Sequence, residues 1–184
     1  MRIFLMSFCR ECNVAHFFDM LTAPKLKTLK LNNVNTADVK TECDISVFQR
    51  LVASSGIELE ELSIFRTTIP LSVGGLLDCM PSLQRLELRT HLILDEDSMK
   101  RIANGELGPC LETLTMRVSL GDPEAAAPIL TMIESRQNLP RNETHGGHSY
   151  FKQVRIRVVG MRWGYTLSDY QRRLGKLKGI VEFS

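Results

Sequence analysis

Apolar residues return along the chain in one spacing, two positions skipped and then one. The sets are Leu26, Leu29 and Leu31; Leu59, Leu62 and Ile64; Leu83, Leu86 and Leu88; Leu111, Leu114 and Met116; and, more loosely, Phe151, Val154 and Ile156. In 26–34 the inward Leu29 and Leu31 alternate with Thr28, Lys30 and Asn32. That is the period of a strand with one face in a core. Between the strands the apolar spacing becomes helical. Asp44 is placed to cap a helix with Ile45, Phe48, Leu51 and Val52 on one face, ended by Ser54-Ser55-Gly56. Pro70 suits the first turn of a second helix, with Leu71, Leu76 and Leu77 inward and Pro81 stopping it. Asp95 opens a third through Met99 and Ile102, closed by Asn104-Gly105. Asp122 and Pro123 start a fourth, which Pro128 breaks or restarts, leaving 129–136 as its firmer part.

The remaining stretches complete the plan. Residues 3–8 read as a buried strand of an incomplete first unit. Residues 138–149, with Pro140, Gly146, Gly147 and two histidines, read as a mobile loop. A strand follows at 151–159, then a helix at 168–177 with Leu167, Tyr170, Leu174 and Leu177 on one face, then a last strand at 180–183.

The first members of successive sets lie 33, 24, 28 and 40 residues apart. Three of these intervals fall at or near the roughly 20–29 residues of a leucine-rich repeat. The 40-residue step spans the Pro- and Gly-containing stretch and reads as an insertion. One strand-plus-helix unit cannot bury its apolar face alone, so neighbours must stack into a continuous core. The expected fold is α/β, a leucine-rich repeat solenoid with a parallel β-sheet on the concave side and helices on the convex side. It forms a single domain over 1–184, with a partial first repeat at 1–25, repeats at 26–160 and a capping segment at 161–184.

Composition adds little and excludes more. Charged residues are 24% and apolar residues 43% of 184, ordinary for a globular chain and unlike a disordered one. A net charge of +2 does not by itself imply nucleic acid. Cys9, Cys12, Cys43, Cys79 and Cys110 are odd in number and irregular in spacing, unlike a disulfide framework, and point to a reducing intracellular compartment, cytoplasmic or nuclear. The apolar start is too short for a signal peptide, and Cys9-Arg10-Glu11-Cys12 stands where a small-residue cleavage site would be. No run approaches the roughly 18 apolar residues that span a membrane. In that compartment the sequon Asn142-Glu143-Thr144 is coincidental.

Candidate chemistry is sparse. No Gly-rich phosphate loop, nucleophile elbow or His-Glu-x-x-His motif occurs. Cys9-x-x-Cys12 with His16 has partial zinc-ligand spacing, which only His145 and His148 folding back would complete; cysteines buried in a strand and turn are the plainer reading. Asp95, Glu96 and Asp97 suit a helix start by complementing its dipole. His91 reads as a solvated edge residue, and Trp163 and Tyr165 as a cap over the last apolar layer. No paired acid and base or nucleophile and base emerges, so the chain is read as a non-enzyme without cofactor or metal.

Strand alternation supplies the candidate site. The outward positions are Thr28, Lys30 and Asn32; Glu61, Ser63 and Phe65; Arg85, Glu87 and Arg89; Thr113, Thr115 and Arg117; and Gln153, Arg155 and Arg157. Six are basic and two acidic, a net of +4 on a chain of +2. Arginine predominates, which suits planar, bidentate recognition of carboxylate or phosphate. Lys30, Phe65, Arg85, Arg89, Arg117, Arg155 and Arg157 are therefore the candidate contacts for an acidic protein segment, with Phe65 as an apolar anchor. Against this stands a plain solvated sheet face on which Glu87 partly neutralises Arg85 and Arg89 across strands. Nucleic-acid binding through the arginines is another reading, opposed by the small net charge and scarce strand aromatics. An inert, incomplete array with an open N-terminal edge is a third.

The flanks resemble a known family. Leu21-Thr22-Ala23-Pro24-Lys25-Leu26-Lys27-Thr28-Leu29, Met80-Pro81-Ser82-Leu83-Gln84-Arg85-Leu86-Glu87-Leu88 and Met132-Ile133-Glu134-Ser135-Arg136 look like the leucine-rich region of fungal F-box proteins, over residues 17–159. In that family the F-box binds a ubiquitin-ligase adaptor while the repeats recruit the protein to be modified. The resemblance thus implies a substrate-recruiting module. The residues ahead of Leu26 read as repeat and not as an F-box, so adaptor binding falls on no residue here and requires an F-box upstream of Met1.

Overall fold

A computed structural model describes residues 3–7, 18, 21, 23–34, 45–67, 70–89, 92–119, 126–140, 149–159, 175, 177 and 179–183. The strands are β1 Ile3–Ser7, β2 Thr28–Val34, β3 Glu61–Thr67, β4 Leu71–Ser72, β5 Arg85–Arg89, β6 Leu92–Ile93, β7 Thr113–Ser119, β8 Gln153–Val159 and β9 Val181–Phe183. The helices are α1 Ile45–Ser55, α2 Val73–Cys79, α3 Glu96–Ala103 and α4 Ala126–Gln137. The fold is α/β. Seven strands form one sheet in the order β1-β2-β3-β5-β7-β8-β9, and every adjacent pair is parallel. Strand order therefore follows chain order. The two-residue strands β4 and β6 pair separately, also in parallel.

The register explains why the repeated pattern matters. Phe4, Leu29, Leu62, Leu86, Leu114, Val154 and Val181 stand side by side across all seven strands. A second row runs from Leu31 through Ile64, Leu88 and Met116 to Ile156. From β2 to β8 these side chains are no more than 1% exposed. The first members of each set (Leu26, Leu59, Leu83, Leu111 and Phe151) are also buried. A one-residue slip would turn each strand's apolar set to the other face, so burial fixes the register.

The approach to each strand is built alike. The carbonyl of Lys27 accepts from the amides of Glu60 and Glu61, that of Glu60 from Gln84 and Arg85, that of Gln84 from Glu112 and Thr113, and that of Glu112 from Lys152 and Gln153. One carbonyl thus holds two successive amides of the next unit at four consecutive crossings, at 2.7–3.2 Å.

The helices cover the apolar face. Val47, Phe48 and Leu51 of α1, Val73, Leu76 and Leu77 of α2, Ile102 of α3 and Leu130 and Ile133 of α4 join the strand leucines in one core. Gly56, at φ 58°, closes α1 as expected. Asp95 caps α3, its carboxylate accepting from the Ser98 amide and hydroxyl, each at 2.8 Å. Asn104 and Gly105, the latter at φ 82°, end it.

One buried charge ties this layer together. Arg136 of α4 is fully buried, and its guanidinium donates to the carbonyls of Ile102, Leu107, Gly108, Pro109 and Ser149 at 2.7–3.3 Å. It also lies over the Phe151 ring, 5.5 Å from the centroid. The segments leading into β7 and β8 are thereby pinned to α4.

Three expectations are corrected. Residues 3–7 do form a strand, but Ile3 and Leu5 are 55% and 70% exposed because alternate side chains of β1 face outward, while Phe4 packs on the core. Pro70 does not enter a helix: Leu71 and Ser72 form β4 first, and Ser72 is the cap, its hydroxyl accepting from the Gly75 amide at 3.2 Å. The helix runs unbroken through Pro128 from Ala126 to Gln137, while its expected start at Asp122 and Pro123 lies outside the described residues. Asp44, Asp122, Pro123, most of the 138–149 loop, residues 168–174 and 176 of the last helix, Cys9, Cys12, Cys43, His91, Trp163 and Tyr165 lie outside the described residues.

Candidate functional site

The outward side chains form three rows across the sheet. Thr28, Glu61, Arg85, Thr113 and Gln153 make the first; Lys30, Ser63, Glu87, Thr115 and Arg155 the second. Asn32, Phe65 and Arg89 are in register in the third, and Arg117 and Arg157 are in register with each other beyond them. Parallel pairing therefore brings all seven candidate contacts onto one face. It extends that face at both ends. Ile3 and Leu5 stand beside Thr28 and Lys30, and Glu182 of β9 stands beside Arg155. Sequence reading left Ile3 and Leu5 inside and did not count Glu182. The alternation of β1 carried the signal for the first two. The register of a three-residue final strand supplies the third.

Most of the cations are already engaged. Glu61 takes Lys30 at 2.8 Å from one neighbouring strand and Arg85 at 3.7 Å from the other. Glu87 takes the Arg89 Nε at 2.7 Å along its own strand and accepts the Ser63 hydroxyl at 3.4 Å. The expected neutralisation of Arg85 by Glu87 across strands is thus replaced by Glu61, which sits in register with Arg85. The Arg89 guanidinium lies over the Phe65 ring, 5.1 Å from its centroid, which makes Phe65 half-buried rather than a free anchor. Glu182 accepts from Arg155 at 2.9 Å and from Gln153 at 3.3 Å. The Arg155 hydrogen bond foremost, then that of Gln153, holds the Glu182 carboxyl below its ordinary value.

Arg117 and Arg157 differ from the rest. They occupy directly opposed positions on β7 and β8, both are exposed, and neither has an ion-pair partner among the described residues. With Glu182 counted, the face holds six basic against three acidic residues, and its uncompensated charge gathers at this corner.

An open groove of about 690 Å³ between α3 and α4 is lined chiefly by Met99, Ala103, Pro128, Thr131 and Met132, with the Glu96–Lys100 ion pair at its rim. Among the described residues no three His, Cys, Asp or Glu converge as metal ligands, and the partial zinc pattern of Cys9, Cys12, His16, His145 and His148 lies outside them. Cys79 and Cys110 are free thiols. No described helix is long and apolar enough to cross a membrane. No family model, curated protein or solved structure matches this chain.

Proposed function

We propose that the chain is a non-catalytic leucine-rich repeat module that holds an acidic segment of another protein against the outward face of its sheet. The observation that carries this reading is the alignment of five consecutive motif copies, which turns scattered polar positions into one continuous surface richer in positive charge than the chain as a whole. Equal repeats at each crossing and strand order matching chain order support the solenoid reading. The resemblance of its phrases to fungal F-box repeats extends the proposal: the module is the substrate-recruiting part of a ubiquitin-ligase receptor, and adaptor binding follows only if an F-box lies upstream.

The interleaved Glu61, Glu87 and Glu182 favour a short acidic segment over a nucleic acid, because a phosphate backbone requires a continuous basic track. Fluorescence anisotropy with a fluorescein-labelled octaglutamate peptide tests the reading. Binding is expected at low salt and is expected to fade between about 50 and about 500 mM salt as the charges are screened. No binding at low salt sinks the proposal, and tighter capture of a generic RNA oligonucleotide replaces it with nucleic-acid binding.

A further inference from the structure

Among the described residues, four of the six outward cations are held by glutamates, and the two that are not lie next to each other. Like charges directly opposed on neighbouring strands are unfavourable, since the backbones are only about 4.8 Å apart. Nothing among the described residues relieves that repulsion. A ligand bearing two negative charges does so on binding, whereas at Lys30 or Arg85 it must first displace Glu61. Attraction and relief of repulsion therefore coincide at one corner of the face.

We propose that Arg117 and Arg157 form the primary contact of the acidic segment, each guanidinium taking one carboxylate of an extended Asp/Glu stretch. Side chains two apart on such a stretch project to the same side about 6.8 Å from one another. Two arginines on adjacent strands span that distance by splaying their flexible stems. Each guanidinium presents a planar fork that matches a carboxylate with two parallel hydrogen bonds. Arg89, fixed on Phe65 with its Nε on Glu87, bounds the site on the β5 side, and Arg155, held by Glu182, lies one row below. The remaining basic residues stay with their glutamates and add less to the affinity.

This assignment rests on the docking reading above, and the experiment separates the two. Octaglutamate anisotropy is measured for wild type, Arg117→Gln/Arg157→Gln, Arg117→Lys/Arg157→Lys and Lys30→Gln/Arg85→Gln, each checked for an unchanged circular dichroism melt. All four positions are partly or fully exposed, so folding is expected to survive. The expected result is at least about a tenfold loss for the Gln pair, a partial loss for the Lys pair, and a smaller loss, about twofold to fourfold, for Lys30→Gln/Arg85→Gln, whose charges Glu61 already offsets. Equal losses for the two Gln variants, or a loss confined to Lys30 and Arg85, overturn the assignment while the docking reading stands. A wild-type protein that ignores the peptide overturns both.

Discussion

Arg136 shows what a single side chain does in this core. Burial draws its guanidinium below the ordinary value, yet a guanidinium stays charged, so the cost of burying it is offset by five carbonyl acceptors. Removing the donor leaves those carbonyls dry and unpaired. Arg136→Met is expected to lower stability by about 3 kcal/mol or more, read from urea midpoints, with Arg136→Lys recovering only part because an ammonium cannot reproduce the fork. Unchanged midpoints would mean the carbonyls find other donors. The sequence marked 129–136 as helix but held no sign that Arg136 is buried. Its partners are backbone oxygens, which every residue carries, so no residue type in the chain points to them.

Between elements, α2 and α3 approach closely at Gly74. A methyl group at Gly74 would fall on the Ser98 hydroxyl, which itself donates to the capping carboxylate Asp95. The glycine is thus needed for packing, and its neighbour Gly75 faces Ile45 of α1 in a similar way. Gly74→Ala is expected to destabilise by about 1–3 kcal/mol through overpacking. Adding Ser98→Ala should return part of that loss, since the clashing oxygen is gone, giving a coupling of about 0.5 kcal/mol or more in a double-mutant cycle. Strict additivity would show that the helices separate freely. The existence of these helices was legible from their apolar spacing. Their starts were less so: β4 is two residues long, below what alternation reveals, and it moved the helix start from Pro70 to beyond the cap Ser72.

At the scale of the whole molecule, the sheet was the most legible feature and its charge pattern the least. Register follows from burying Leu29, Leu62, Leu86, Leu114 and Val154 side by side, which repetition encodes directly. Whether Glu87 reaches along its strand to Arg89 or across to Arg85 depends on side-chain rotamers, and alternation is silent about those. Other ionisable groups set the response to pH. Hydrogen bonds from Ser98, Lys100 and Arg155 hold Asp95, Glu96 and Glu182 below their ordinary values of 3.8, 4.5 and 4.5. Carboxylates lowered in the folded state stabilise it above those ordinary values, and the contribution disappears as pH falls through the folded ones. Burial pushes the Cys79 thiol from 9.0 to about 11, so its contribution disappears as pH rises through that interval. Urea unfolding across pH is expected to give a plateau between 4.5 and 9.0 with a decline on either side. A decline beginning near neutrality would assign pH sensitivity to other groups.

Each strand of the main sheet bonds only to the strand before and the strand after it, and the same carbonyl-to-amide joint recurs at four crossings. A stretch of gene encoding one strand with its helix could accordingly be copied in tandem without disturbing the rest. The new coil would meet on both sides the joint that its neighbours already use. On the repeat reading proposed above, length would be adjustable by whole units, and each added unit would lay another three outward side chains beside the last.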